Sequence, residues 1–146
     1  MSTAQPLFTI ATITYNSSKW VRQTIESILA SPYTDLEFII SDDCSTDESW
    51  NIIDEYNDPR LIKWRNEKNI GEYPNRNKVL NQAKGQYILY VDGDDILYGE
   101  ALERLAKHIQ FFPNAGSFWG VGNIDIIVYP YQLSPLEAAR LLFLSP

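Results

Sequence analysis

Residues 86–95 read QYILYVDGDD, an apolar run that breaks into three carboxylates around one glycine. A strand buried on both faces must surface at its end, and this one surfaces as acid. Asp92 and Asp94 lie two residues apart, so in extended chain their side chains leave the same face. Hard oxygen ligands on one face suit Mg2+ or Mn2+, above all a metal whose other ligands come from substrate phosphates. Taken alone, the stretch has bland readings too. Asp-Gly between apolar runs is a strong hairpin signal, and a solvated acidic turn has the same composition. An EF-hand loop is excluded, because counting from Asp92 the fifth position is Ile96 and the sixth is Leu97, not glycine.

Upstream of this break, apolar runs and helical periods alternate. Residues 7–14 are rich in β-branched side chains and read as a first strand. Val21, Ile25, Ile28 and Leu29 recur at helical spacing, with Asn16, Ser17 or Ser18 as candidate N-caps and Pro32 as the stop. A second strand is expected over 36–41. Ser45 with Glu48 has the form of a capping box opening a helix to about Tyr56. A short third strand covers 61–65. Pro74 suits a first helical turn, with the helix running to about Lys84 and closed by Gly85. The fourth strand covers 87–91, and Leu102, Leu105 and Ile109 form one stripe of a helix over 99–112. Such alternation implies βαβ crossovers, hence an α/β fold with a mostly parallel sheet and helices on both faces. Strands are expected further on over 117–122 and 124–129, then a helix opened by Ser134 and Glu137.

That order alters the meaning of the acidic break. In an open α/β sheet, ligands bind beyond the carboxyl ends of the strands. Three strand ends are polar: Thr14-Tyr15-Asn16, Asp42-Asp43 and Asp92-Gly93-Asp94-Asp95. Parallel strands bring all three to one edge. A hairpin at Asp92-Gly93 loses force, since only residues 96–98 precede the next helix, too few for a partner strand. Of the adjacent pair Asp42 and Asp43, opposite side-chain directions suggest that one supports the loop while the other faces the crevice; either also suits a helix N-terminus. Tyr15 can stack on a base or simply pack. Arg76 and Lys78, beside Asn69-Ile70-Gly71 at a helix start, can hold a diphosphate or form a solvated helix face.

Composition narrows the partners. The 146 residues make one ordinary domain, and 45% hydrophobic with 13% aromatic content is that of a globular protein. A formal charge of −7 argues against a nucleic-acid partner held by phosphate contacts. It does not exclude a nucleotide, because a divalent metal inverts the local charge. Cys44 is the only cysteine, so there is neither a disulfide framework nor a cysteine zinc site, and a reducing compartment fits. No signal peptide is recognisable at the N-terminus. Cys44 reads as a small packed residue, and His108 as a helix-surface or packed histidine.

The ordered set TITYNSSKWVRQTIESIL, LEFIISDDCSTDES and NIGEYPNRNKVLNQAKGQYILYVDGDD, spanning 7 to about 112 with the following helix, resembles the nucleotide-sugar-binding half of the family 2 glycosyltransferases. The resemblance implies the GT-A (Rossmann-like) fold, a nucleoside-diphosphate sugar donor, often a UDP-sugar, and Mn2+ or Mg2+ as cofactor. It implies donor-binding roles for Thr12, Tyr15, Asp42, Asp43, Arg76, Asp92 and Asp94. Tyr15 matches the position that packs near the base, and Asp43 the acid that recognises it. Asp92 and Asp94 match the DxD motif, with Asp94 the direct metal ligand and Asp92 facing donor or ribose. Ile13 stands where many relatives carry proline.

An inverting transfer also needs a carboxylate base to deprotonate the acceptor hydroxyl, which in this family comes from well downstream of the DxD. Asp125 and Glu137 are the only carboxylates after residue 113, and neither sits in a recognisable base motif. The expectation is therefore a donor-binding region over 1–113 and the start of an acceptor-side region over 114–146, incomplete on that side, with the catalytic base unassigned. The resemblance implies work on cell-envelope polysaccharide in the cytoplasm, at the inner face of the membrane, with an unidentified sugar, lipid or protein acceptor. A non-catalytic nucleotide-sugar-binding or regulatory module is the alternative. Apolar residues such as Phe118, Trp119 and 141–144 suggest a covering partner chain or further chain.

Overall fold

The computed structural model of the protein describes residues 5–115. Four strands and four helices alternate: β1 (Phe8–Thr14), α1 (Val21–Leu29), β2 (Leu36–Asp42), α2 (Ser49–Asp54), β3 (Leu61–Arg65), α3 (Glu72–Leu80), β4 (Tyr87–Tyr90) and α4 (Ala101–Phe111). All strand pairs are parallel, in the order β3-β2-β1-β4. The chain thus builds outward from β1 through β2 and β3, then returns to the opposite side of β1 for β4. The reversal puts a topological switch point between β1 and β4, where such sheets bind ligands. The chain divides into two units, Met1–Leu102 and Glu103–Pro146; the sheet and the candidate site belong to the first. The strands and helix expected beyond residue 115, with Asp125 and Glu137, lie outside the described residues.

Strand alternation places helices on both faces of the sheet. Ala11 of β1 and Ile39 of β2 meet Val79 of α3, with Ile13, Trp64 and Ala83 packed around them. The opposite parity serves the other face: Lys63 pairs with Asp54 of α2 at 2.8 Å, while Phe8, Ile10, Phe38, Ile40 and the α1 residues Val21, Ile25 and Ile28 are all buried. Each such side chain removed from water contributes about 1.5–3 kcal/mol.

Helix starts depart from expectation, and for one reason. Polar residues thought to cap helices instead tie loops together. The N-cap of α1 is Trp20, without a side-chain cap. Asn16 adopts φ 53° and accepts from the Thr46 amide at 2.8 Å, and the Ser17 amide donates to Ser49 Oγ at 2.8 Å. The Ser45–Glu48 capping box does not form: α2 begins at Ser49 and Ser45 Oγ donates to Asp42. Helix α3 begins at Glu72, with Pro74 in its first turn, and ends at Leu80. Gly85 is consequently not its cap. A Cβ there would lie 2.3 Å from the Thr9 amide nitrogen, so glycine is needed for the close approach to β1.

Candidate functional site

The carboxyl ends of β1, β2 and β4 surround a pocket of about 410 Å³. Thr14, Tyr15 and Ser17 enter it from the end of β1, Asp43 from the end of β2, and Asp92, Gly93 and Asp94 from the end of β4. Asn69, Gly71, Glu72 and Asn75 close the side formed by the loop into α3. Beyond β4 the chain keeps tracking β1: the Val91 amide donates to the Ala11 carbonyl at 3.2 Å and the Gly93 amide to the Ile13 carbonyl at 3.2 Å. A Cβ on Gly93 would come within 2.9 Å of Thr14 Cβ, so the turn carrying Asp92 and Asp94 sits this close to β1 because residue 93 is glycine.

Asp42 and Asp43 divide their labour. Asp42 is fully buried; it accepts from the Ser45 amide at 3.0 Å and from Ser45 Oγ, and Arg65 Nε lies 3.4 Å away. It braces its own loop and does not line the pocket. Asp43 lines the pocket. Its Oδ1 accepts from Asn66 Nδ2 at 2.8 Å and from the Ile70 amide at 3.0 Å, and Oδ2 from the Gly71 amide at 2.9 Å. A carboxylate has about four acceptor positions, so these donors leave room for one from a ligand.

Thr12 does not line the pocket either. It is fully buried, and its hydroxyl donates to the Val91 carbonyl at 2.7 Å, stitching β1 to the end of β4. The neighbouring Thr14 is the residue that reaches the pocket, and its Oγ1 is buried without a hydrogen-bond partner among the described residues. Buried hydroxyls are rarely left so. Tyr15 is 49% exposed at the pocket edge, a ring face available for stacking.

The two motif carboxylates form the last side, and Arg76, which does not itself line the pocket, is bound to Asp92. Arg76 Nη2 lies 2.9 Å from each carboxylate oxygen of Asp92, hydrogen-bonding Oδ2, and 3.2 Å from Glu72 Oε1. The guanidinium stands 5.1 Å from the centre of the Tyr90 ring. The Asp92 carboxylate, aided by Glu72, raises the Arg76 pKa, so this group is cationic throughout. Asp94 is exposed at the pocket and makes no hydrogen bond or ion pair among the described residues. No cluster of three or more His, Cys, Asp or Glu able to hold a metal occurs among the described residues. One free carboxylate and one arginine-paired carboxylate would suffice only for a hard cation that takes its remaining ligands from phosphate and water. Asp94 fits direct ligation; Asp92 is already shared with Arg76.

The sequence marks Thr14 only as part of a polar strand end and Ser17 only as a candidate N-cap, and nothing in it points to Asn66 or Asn75. Asn75 is 1% exposed, its Oδ1 accepting from Ser41 Oγ at 2.6 Å and its Nδ2 donating to the Ser41 carbonyl at 3.3 Å. Among the described residues no helix is long and apolar enough to cross a membrane.

Comparison with known proteins accords with this geometry. The sequence model described as Glycosyl transferase family 2 matches residues 9–142. The chain is 34% identical over 135 residues to the UDP-Glc:alpha-D-GlcNAc-diphosphoundecaprenol beta-1,3-glucosyltransferase WfaP of Escherichia coli, covering 90% of this chain and 53% of that protein. It is 34% identical over 122 residues to the putative teichuronic acid biosynthesis glycosyltransferase TuaG of Bacillus subtilis, covering 82% and 48%. The chain thus spans about half the length of these two curated relatives. The crystal structure of S. aureus TarS in complex with UDP-GlcNAc superposes with a TM-score of 0.67 at 33% identity, covering 71% of this chain and 31% of that one.

Proposed function

The chain belongs to glycosyl transferase family 2, a family of GT-A-fold enzymes, and from that premise we propose that residues 1–113 are the donor-binding region of an inverting, metal-dependent glycosyltransferase using a UDP-sugar. The observation that carries this reading is the convergence of Tyr15, Asp43 and Asp94 from the ends of three parallel strands on one pocket at the switch point. Tyr15 offers a stacking face to the base, and the acceptor-only carboxylate of Asp43 suits a ring N–H such as that of uracil. The Arg76 guanidinium, bound to Asp92, is the cation that would meet the diphosphate oxygens. TarS binding UDP-GlcNAc and the UDP-Glc donor in the name of WfaP support a uridine nucleotide.

Asp94, with Asp92 beside it, would hold Mn2+ or Mg2+. When bound, the cation supplies Lewis-acid stabilisation of the leaving diphosphate. Arg76 adds a fixed positive charge on the same side, and its bond to Asp92 keeps that carboxylate from repelling the phosphates. Acceptor activation requires a carboxylate base; the pocket carboxylates are otherwise occupied, Asp43 by the 69–71 loop and Asp92 and Glu72 by Arg76. The acceptor, a sugar, lipid or protein in cell-envelope polysaccharide synthesis at the inner face of the membrane, belongs to the region from 114 onward.

That division favours one alternative, a nucleotide-sugar-binding module without transfer activity of its own. Calorimetric titration of UDP into the chain with and without Mn2+, followed by a transfer assay across UDP-sugars, tests both. Metal-dependent UDP binding with turnover supports the enzyme, and binding without turnover supports the module. No UDP binding in either condition overturns the donor site.

A further inference from the structure

Behind Asp43 stands a chain of polar groups that the donor site does not explain by itself. Lys78 Nζ donates to Asn66 Oδ1 at 2.7 Å. Asn66 Nδ2 donates in turn to Asp43 Oδ1 at 2.8 Å and to Asn75 Oδ1 at 3.0 Å. The Asn66 amide nitrogen is itself fixed to the Asp42 carbonyl at 2.8 Å. Asn66 and Asp43 are 5% and 3% exposed, so solvent cannot substitute for these partners at little cost. Lys78 is held in turn against Trp64, its ammonium 5.5 Å from the ring centre.

The direction of this chain follows from chemistry. An ammonium can only donate and an ionised carboxylate can only accept. Between them, an amide has one arrangement that satisfies both ends: oxygen toward Lys78, nitrogen toward Asp43. The opposite arrangement sets an amide oxygen against a carboxylate oxygen and an NH2 against an ammonium. Asn66 is thereby locked, and it locks Asp43 Oδ1, leaving the carboxylate in one orientation across the 69–71 loop.

We propose that Asn66, backed by Lys78, is a positioning residue that fixes the carboxylate of Asp43 for recognition of the donor base. The inference rests on the reading of this pocket as the UDP site. Without the pair, Asp43 turns among several hydrogen-bonding arrangements, its hold on the Ile70 and Gly71 amides loosens, and selection for a base carrying a ring N–H is lost. Cytosine, which presents an acceptor at that ring position, gains nothing from the ordered carboxylate.

The test pairs calorimetry of UDP and CDP with amide hydrogen exchange at Ile70 and Gly71, in Lys78→Met, Lys78→Arg and Asn66→Ala. Lys78 is exposed, so its variants retain the fold even where Asn66→Ala does not. Lys78→Met is expected to weaken UDP by about 5-fold with CDP unchanged, and Asn66→Ala by at least about 10-fold, the scale of one hydrogen bond to a charged group. Exchange at Ile70 and Gly71 accelerates in both variants, and Lys78→Arg restores both readouts. A UDP-to-CDP preference unchanged in Lys78→Met overturns the inference, whether or not exchange accelerates. A wild-type chain that binds no UDP overturns the donor-site reading itself, and the inference falls with it.

Discussion

Arg76 Nη2 lies 2.9 Å from both carboxylate oxygens of Asp92, while Asp94 has no partner among the described residues. Two carboxylates of one short motif are thus in different electrostatic states. Asp92 is paired with a guanidinium held between it, Glu72 and the Tyr90 ring, and Asp94 stands unpaired at the pocket edge among the described residues.

The asymmetry predicts unequal consequences of removing each charge. Asp94→Asn is expected to weaken Mn2+-dependent UDP binding by at least about 10-fold, since it removes the free hard ligand. Arg76→Met is expected to weaken UDP by about 10-fold while leaving uridine unchanged, because a charge-assisted contact to the diphosphate is lost. Calorimetry of UDP and uridine on both variants, with and without Mn2+, checks this.

Asp47 is the control, and it carries a pH signature of its own. Burial acts to raise its pKa, but hydrogen bonds from Ser49 and Ser18 outweigh that and lower it to about 2. A carboxyl whose folded pKa is depressed stabilises above its unfolded value, and the contribution fades as pH falls toward the folded one. Asp47→Asn should therefore leave UDP affinity unaltered but lower the urea midpoint at pH 6. The gap between variant and wild type should narrow from about pH 4 down toward pH 2, as paired urea titrations across that range would show.

Cys44 adopts φ 61°, a left-handed conformation that strains most side chains. Its thiol gains only a 3.7 Å contact with the Glu67 carbonyl. Replacing it with glycine removes about 1–2 kcal/mol of strain and returns about 0.4–1 kcal/mol through the looser unfolded chain. Cys44→Gly should raise stability by about 0–1.6 kcal/mol, as the sum of those opposing terms, and Cys44→Val should lower it. Urea unfolding measures both.

At the opposite end of the sheet, Glu37 is buried and accepts from Thr9 Oγ1 at 2.6 Å, from the Gly85 amide at 3.2 Å and from the Lys84 amide. Glu37→Leu strands the Thr9 hydroxyl and the Lys84 amide, while the Gly85 amide keeps its 2.8 Å bond to Thr9 Oγ1, and should cost about 2–4 kcal/mol. Gly85→Ala, which drives a methyl into the Thr9 backbone, should be comparably harmful by overpacking, about 1–3 kcal/mol or more. Neither should alter UDP affinity per folded molecule. Thermal unfolding combined with calorimetry separates the two effects.

Much of this architecture was legible because strands announce themselves. Residues 61–65 form β3 as expected, and β1, β2 and β4 begin or end within a residue of expectation, since their β-branched and aromatic runs have no competing helical period. Helix starts were misread where a local motif lost to a distant partner. Ser45 has a capping-box glutamate three residues on, yet its hydroxyl goes to Asp42. The division between Asp42 and Asp43 was legible as a consequence of strand alternation. Which of them braces the loop was settled by Ser45 and Arg65, whose approach no spacing rule encodes. Asn66 and Asn75 carry no periodic or motif signature at all; their significance appears only once β2, β3 and α3 bring them together. Thr12 and Thr14 point to the same face of one strand, and only the bond to Val91 distinguishes Thr12 from Thr14, whose hydroxyl has no partner among the described residues.

The claim on which the rest depends is that a uridine nucleotide and a divalent cation occupy the pocket at the ends of β1, β2 and β4. Amide NMR spectra of the 15N-labelled chain, titrated with UDP in the presence of Mg2+, test it residue by residue. Saturable shifts are expected at Tyr15, Asp43, Gly71, Gly93 and Asp94, with the amides of Glu37 and Lys84 unmoved. Saturable shifts confined to other residues, or none at all at millimolar UDP, would contradict it.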